Sequence, residues 1–190
     1  APVVSAYGCT TGNSGNFATI TVDPVAGVTG GSGKYVIYEF FRDGVSVYKG
    51  SNTVYKEFDF LGGSYTVTVY DNKACMGTST IAAVVDPFIR LDKATVKVDA
   101  AITCKEFEDI TVTTTTIGGT PAVLDYSITD QNGNPVAGNP SNQTGVFLDL
   151  AIGQYIITVS NPDTKCSIRT VHYVNNPNII GNTFYKKSTS

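Results

Sequence analysis

The sequence predicts an all-β chain of two tandem immunoglobulin-like β-sandwiches, roughly seven strands each. Three observations predict it: a composition suited to pleated sheets, an internal repeat at an offset near 90, and short period-two segments punctuated by turns. Thr, Val, Ile and Tyr are plentiful, and 19 glycines supply turns. Branched and aromatic side chains fit a half-buried pleated surface. At 42% hydrophobic the chain has enough apolar matter for a packed core. Its 190 residues allow one large domain or two small ones.

The repeat decides between these. Phe58 to Cys75 reads FDFLGGSYTVTVYDNKAC, and Phe147 to Cys166 reads FLDLAIGQYIITVSNPDTKC. Gly63 and Tyr65 match Gly153 and Tyr155, and Gly30-Gly31-Ser32 matches Gly118-Gly119-Thr120. Tyr38 matches Tyr126, and Val84 and Pro87 match Val174 and Pro177. The copies therefore span 1–88 and 93–177, with a short linker at 89–92 and a tail, or the start of a further module, at 178–190. The linker lacks Gly and Ser and should hold the copies in a fixed orientation, with Phe88, Ile89 and Leu91 available for packing.

Alternation marks the strands. Val96, Val98, Ala100 and Ile102 alternate with polar residues, and Ala18–Val22, Tyr65–Val69 and Ile110–Thr116 read likewise. Turn signals stand at Asp43-Gly44, Gly62-Gly63, Asn132-Gly133 and Asn161-Pro162. About 85 residues per copy with such spacing reads as a sandwich. Gly63-x-Tyr65 and Gly153-x-Tyr155 have the form of a tyrosine corner, whose hydroxyl bonds the nearby backbone.

Four cysteines allow three pairings. Cys9 and Cys104 stand at matching places near each first strand; Cys75 and Cys166 stand just past each late strand. If the copies share a fold, the bridges are Cys9–Cys75 and Cys104–Cys166. Each would contribute about 4 kcal/mol in the chain-entropy model. Disulfides persist outside the reducing cytoplasm, which predicts an extracellular, surface-exposed protein. Close Cys/His spacings of a zinc site are absent from the sequence.

These motifs resemble a known family. A first-strand cysteine, a GG-[ST] turn, an aromatic strand, GxYxVTV and a D/N-rich turn ending in Cys are similar to the repeats of giant Bacteroidetes surface adhesins, including the gliding-motility adhesin. The elements here are Cys9, Gly30-Gly31-Ser32, Gly63 to Val69 and Asp71 to Cys75. In the second copy they are Cys104, Gly118-Gly119-Thr120, Gly153 to Val159 and Cys166. The chain departs from the pattern in having no Trp and in reading Ile-Ile-Thr-Val in the second copy. The resemblance implies export by the type IX secretion route, display on the cell surface and cell adhesion.

Composition and motifs narrow the function. The net charge is −3 and the only basic pair is Lys186-Lys187, which disfavours nucleic acid. No apolar run approaches the roughly 20 residues of a membrane-spanning helix, so no membrane insertion is expected. The first residue is Ala, and the chain reads as a piece of a longer precursor. His172 is the sole histidine and lies in a strand-like stretch, and no nucleophile-elbow, zincin or P-loop motif is present. No catalytic residue, metal or cofactor is expected, and the chain is read as a non-enzyme. Asp130-Gln131-Asn132-Gly133-Asn134 faintly resembles the start of a calcium loop but lacks the bidentate Glu, and reads as a hairpin. Asn142-Gln143-Thr144 is a formal glycosylation sequon on a loop.

Partners are then neighbouring repeats of the same polypeptide, with a surface polysaccharide or another cell-surface protein as the external ligand. The first copy holds 13 aromatic residues and the second five. Strict alternation in the middle aromatic strand points Val36, Tyr38 and Phe40 inward and Tyr35, Ile37 and Phe41 outward. With Tyr48 and Tyr55 these form the candidate binding face. The leading reading is a repeat segment of a large adhesin that gives length and mechanical stability. The alternatives are a carbohydrate- or protein-binding module and an ancillary domain pair of a secreted enzyme.

Overall fold

The computed structural model describes residues 1–102 and 106–175; Cys104 and the tail at 178–190 lie outside them. Among the described residues there is no helix, and every element is a strand. The first copy contributes β1 (Val3–Ser5), β2 (Cys9–Thr11), β3 (Ser14–Gly15), β4 (Ala18–Thr21), β5 (Tyr35–Arg42), β6 (Val45–Gly50), β7 (Val54–Glu57), β8 (Gly63–Asp71), β9 (Met76–Thr78) and β10 (Ala83–Val85). The second contributes β11 (Arg90–Ala100), β12 (Glu108–Ile117), β13 (Asp125–Asp130), β14 (Val146–Leu150), β15 (Gly153–Asn161) and β16 (Cys166–Val174).

Sheet order carries the fold class. One sheet runs β1-β4-β7, its partner runs β10-β8-β5-β6 with β9 also on β8, and β2 pairs β3 in a small hairpin. The remaining sheets run β11-β12-β14 and β13-β15-β16. The first copy thus pairs β1, β4 and β7 in one sheet and β5, β6, β8 and β10 in the other, and the second copy repeats this with β11, β12 and β14 against β13, β15 and β16. That is the immunoglobulin-like arrangement. The second copy goes directly from β13 to β14, so its described strands include no counterpart of β6.

Contacts divide the chain into two compact units. The first unit comprises residues 1–93, 114–124 and 160–168; the second comprises 94–113, 125–159 and the described residues from 169 on. The first unit therefore contains the β12–β13 loop and the β15–β16 turn of the second copy. Its core joins Ala18 and Ile20 of β4 to Tyr38 and Phe40 of β5 and Tyr65, Val67 and Val69 of β8. Phe88 and Leu91 are buried in this same core, and β11 already begins at Arg90. The second unit buries Ile110 and Val112 of β12, Tyr126 and Ile128 of β13, Phe147 and Leu150 of β14, and Tyr155, Ile157 and Val159 of β15. Alternation in the middle strand of this copy predicts Leu124, Tyr126 and Ile128 inward; Tyr126 and Ile128 are buried and Leu124 is half-buried.

The cysteine pairing differs from the one the repeat suggested. Cys9 is bonded to Cys166, across a sequence separation of 157, and Cys75 is an exposed free thiol. The reason lies in the backbone. The Cys9 amide donates to the Thr164 carbonyl at 2.7 Å, and the Ser167 amide donates to the Gly12 carbonyl at 2.8 Å. These bonds lay the segment around Cys9 along the β15–β16 turn and bring the two Cα atoms to 4.9 Å, within the range a disulfide spans. Matching positions in two copies fix which cysteines are equivalent, but not which copy supplies the partner.

Candidate interaction surface

The proposed aromatic face does not form one surface. Tyr35, Tyr48 and Tyr55 pack against the core, while Ile37 lies exposed and Phe41 half-buried. Bulges account for Tyr35 and Tyr48, whereas Tyr55 faces inward from β7, whose pairing with β4 is regular. Tyr35 pairs with Asp71 and Ile37 with Tyr70, so Val36 is an extra residue that throws Tyr35 inward and leaves Val36 exposed. Phe40 pairs with Tyr48 and Phe41 with Ser46, so β6 has its own extra residue at Val47. Tyr48 and Tyr55 then stack on Phe40 at 5.9 Å each. The additional rings of the first copy largely fill its core; they include an edge-to-face and tilted trio of Tyr7, Phe60 and Phe88 at 5.2–5.7 Å.

Between Ile37 and Phe41 the outer face of β5 is polar. The Glu39 carboxylate accepts from Tyr70 at 2.7 Å, and from Lys49 and Ser46 at 2.9 Å. Lys49, foremost, and Tyr70 hold that carboxyl below its ordinary pKa. Nothing in the predicted stripe is a continuous apolar patch.

A different apolar surface is built on the β7–β8 loop, and the sequence reading missed it. Phe58 is 61% exposed and Leu61 70% exposed. Glu57 accepts the Phe58 and Asp59 amides at 2.8 and 3.1 Å, and Asp59 accepts the Leu61 amide at 2.9 Å. These caps fix the loop, so Phe58 and Leu61 project from a rigid frame. The Phe17 ring lies 5.3 Å from Phe58, with the Lys56 ammonium 4.3 Å from the Phe17 ring centre. The signal available in sequence was Glu57 and Asp59 bracketing Phe58 ahead of Gly62-Gly63.

Glu57 also anchors the interior. It is buried and accepts from the Tyr65 hydroxyl at 2.7 Å and the Tyr55 hydroxyl at 3.3 Å. The Arg42 guanidinium lies 3.6 Å away and pairs with Asp59 as well. Burial, then the Glu57 carboxylate, raises the pKa of Tyr65 far above its ordinary value and pushes Tyr7 up to about 12. Tyr155 behaves as a tyrosine corner, donating to the Ala151 carbonyl at 2.8 Å. Tyr65, at the matching position, uses a carboxylate instead.

The other motifs are absorbed by structure. His172 Nε2 meets Glu108 Oε1 at 2.5 Å in the second unit, with both side chains largely buried. Asp130 accepts the Asn132 and Asn134 amides at 2.8 Å each, closing a hairpin across Thr129 and Pro135. In the sequon, Asn142 Oδ1 accepts the Thr144 and Gly145 amides, and Asn142 Nδ2 donates to the Val146 carbonyl at 3.0 Å. The acceptor nitrogen is therefore engaged in its own turn. Among the described residues no group of three or more His, Cys, Asp and Glu side chains is placed to hold a metal ion.

A cleft of about 330 Å³ opens in the first unit. Val22, Val28, Val67 and Val69 form its apolar lining, and Gly30, Gly31, Asp71 and Cys75 lie on its polar side. Asp71 organises that side: it accepts the Ser32, Lys73 and Cys75 amides at 2.8–2.9 Å, and the Ser32 amide above all lowers its pKa.

Comparison with known proteins adds the following. The sequence matches no protein-family profile, and no curated protein is similar to it by sequence. Among solved structures, the chain is similar to the amphioxus IgVJ-C2 molecule, at 13% identity and a TM-score of 0.41, over 83% of this chain and 95% of that one. It is also similar to three N-terminal domains of the highly immunogenic outer capsid protein Hoc of bacteriophage RB49, at 18% identity and a TM-score of 0.37. That match covers 91% of this chain and 59% of the phage chain. Strand order, rather than these distant likenesses, defines the class: tandem immunoglobulin-like β-sandwiches.

Proposed function

We propose that this chain is a non-catalytic, load-bearing repeat segment of a large bacterial cell-surface adhesin. The observation that supports this reading best is the Cys9–Cys166 bridge, which ties the first copy to the second. Tension applied at the two chain ends enters the bridge at Cys9 and leaves at Cys166. The intervening residues, which form almost all of both sandwiches, are shielded from the load. A stalk that must stay folded under drag has use for such a covalent bypass; an isolated binding domain does not. Attachment to a surface polysaccharide or another cell-surface protein falls to exposed apolar groups, among them Phe58 and Leu61 on the capped β7–β8 loop.

Single-molecule pulling from the two termini tests the reading. The oxidised chain should extend only through the residues outside the bridge. Reduction should release the 157-residue separation, adding roughly 520–565 Å of contour at 3.3–3.6 Å per residue. Equal extension before and after reduction removes the mechanical reading.

A further inference from the structure

Each copy builds a side-chain-capped turn past its strongest strand, Asp71 to Cys75 in the first and Asn161 to Cys166, one residue longer, in the second. Asp71 and Asn161 are both buried, and each caps the turn through its side-chain oxygen, Asp71 accepting from Lys73 and Cys75, Asn161 from Asp163 and Thr164. The residue before each cysteine is left-handed, with φ of 63° at Ala74 and 62° at Lys165. The first glycine of each Gly-Gly pair is also alike, with φ of 91° at both Gly30 and Gly118, whereas the second differs, 63° at Gly31 and 148° at Gly119. Cys75 and Cys166 thus stand at corresponding ends of these turns.

Their chemistry differs. Cys166 is bonded to Cys9, in the short β2 strand of the copy preceding its own, and backbone hydrogen bonds at Thr164 and Ser167 seat that segment. Gly118 is engaged by the chain that joins the copies rather than by the Cys9 segment: a Cβ there would overlap the Phe88 carbonyl, and one at Gly119 would meet the Ile89 side chain at 3.3 Å. At Gly30 a Cβ would meet nothing within 4 Å, and Cys75 is an exposed thiol on the adjoining cleft.

We propose that Cys75 is a docking thiol. Its partner is the counterpart of Cys9 in a further module of this same kind, seated against the Asp71–Cys75 turn as the segment around Cys9 is seated beside Cys166, with the chain that follows that module free to cover Gly30 as Phe88 covers Gly118. The proposal rests on the tandem-array reading and extends it: the bridges link each module to the next rather than closing within one. Bond formation oxidises two thiols. With oxidised glutathione, the partner thiolate first takes one glutathionyl group and releases one glutathione thiol. The Cys75 thiolate then attacks the partner sulfur of that mixed disulfide and releases the second. A thiol–disulfide oxidoreductase serves as the oxidant in an oxidising compartment.

The full chain tests this on itself, because the sequence counterpart of Cys9 in the second copy is Cys104. Chains carrying ¹⁴N and ¹⁵N are mixed in a glutathione redox buffer, digested without reduction and read by mass spectrometry. Mixed-isotope Cys75–Cys104 peptides are expected, with Cys9–Cys166 peptides confined to one isotope. Cys75→Ser and Cys104→Ser should each abolish the ladder on a non-reducing gel. A Cys75→Ser/Thr78→Cys control, with its thiol three residues away, should cross-link at least about tenfold less. The proposal is overturned by no cross-link, by single-isotope Cys75–Cys104 bridges, by a predominance of Cys75–Cys75 pairs, or by equal cross-linking in the control. None of these outcomes alters the contour-length result, so the mechanical reading stands or falls separately.

Discussion

The Tyr65 hydroxyl donates a 2.7 Å hydrogen bond to the buried Glu57 carboxylate, whereas Tyr155, at the matching position of the second copy, donates to the Ala151 carbonyl at 2.8 Å. The two bonds have similar length and different weight. A hydrogen bond to a charged group contributes about 1.5–3 kcal/mol, against about 1 kcal/mol for a neutral pair. Tyr65→Phe also leaves Glu57 more exposed to its desolvation cost, with Tyr55 at 3.3 Å as the remaining hydroxyl donor. Tyr65→Phe should therefore destabilise by about 2 kcal/mol and Tyr155→Phe by about 1 kcal/mol in urea titrations. Equal losses would show that Glu57 gains nothing from Tyr65.

Removing the bridge should cost more than either. In the chain-entropy model a loop of 157 residues restricts the unfolded state by about 5 kcal/mol at 25 °C. Cys9→Ser/Cys166→Ser should lower the denaturant midpoint strongly, and Cys75→Ser, at an exposed thiol, should leave it nearly unchanged. A midpoint that moves with Cys75→Ser and not with the double variant contradicts the observed pairing.

Strands and repeat were legible because they rest on local chemistry: Tyr65–Val69 and Ile110–Thr116 alternate cleanly, and Gly30-Gly31 and Gly118-Gly119 punctuate both copies alike. Two kinds of feature were not legible. In β5 the alternation holds for Ile37, Tyr38 and Phe40 and fails at Tyr35 and Val36, where one extra residue inverts the parity; a second extra residue at Val47 sets the face of Tyr48 in β6, and no residue type announces a bulge at either place. The cysteine partner fails for a topological reason. Equivalence between copies is preserved whether a bridge closes within a copy or reaches the next, so only the backbone bonds at Thr164 and Gly12 distinguish them. The exposed Phe58–Leu61 pair is not legible because an aromatic in a short loop carries no periodicity, whereas the many rings near β5 suggest a surface there although Tyr35, Tyr38 and Phe40 go into the core.

The glycine loops separate backbone strain from packing. Gly30 and Gly118 share φ of 91°, so an alanine at either bears the same left-handed penalty of roughly 1–2 kcal/mol. Only Gly118 also faces the Phe88 carbonyl, and backbone does not yield cheaply. Gly118→Ala should cost about 1–3 kcal/mol more than Gly30→Ala by chemical denaturation. Equal costs would mean that the contact at Phe88 relaxes freely.

Asp71 makes stability depend on pH in a way its counterpart Asn161 cannot. The Ser32 amide, with those of Cys75 and Lys73, favours the ionised carboxylate and lowers its pKa. A depressed pKa means that this contribution is complete above the unfolded value near 3.9 and is lost as the pH falls through the lower folded value. In Asp71→Asn, one amide oxygen still serves Lys73 and Cys75, as Asn161 serves its own turn. The nitrogen then faces the Ser32 amide, donor against donor, and that bond is lost. The variant should fold with the same turn and be less stable by a constant margin above about pH 5. As the pH falls below about 4 the margin should shrink, and it should close only once the pH passes below the lowered folded pKa, where the wild-type carboxyl is protonated in both states. Urea midpoints measured from pH 7 to pH 2.5 read the effect directly. Parallel curves for the two proteins would mean that the Asp71 charge contributes nothing beyond what an amide supplies.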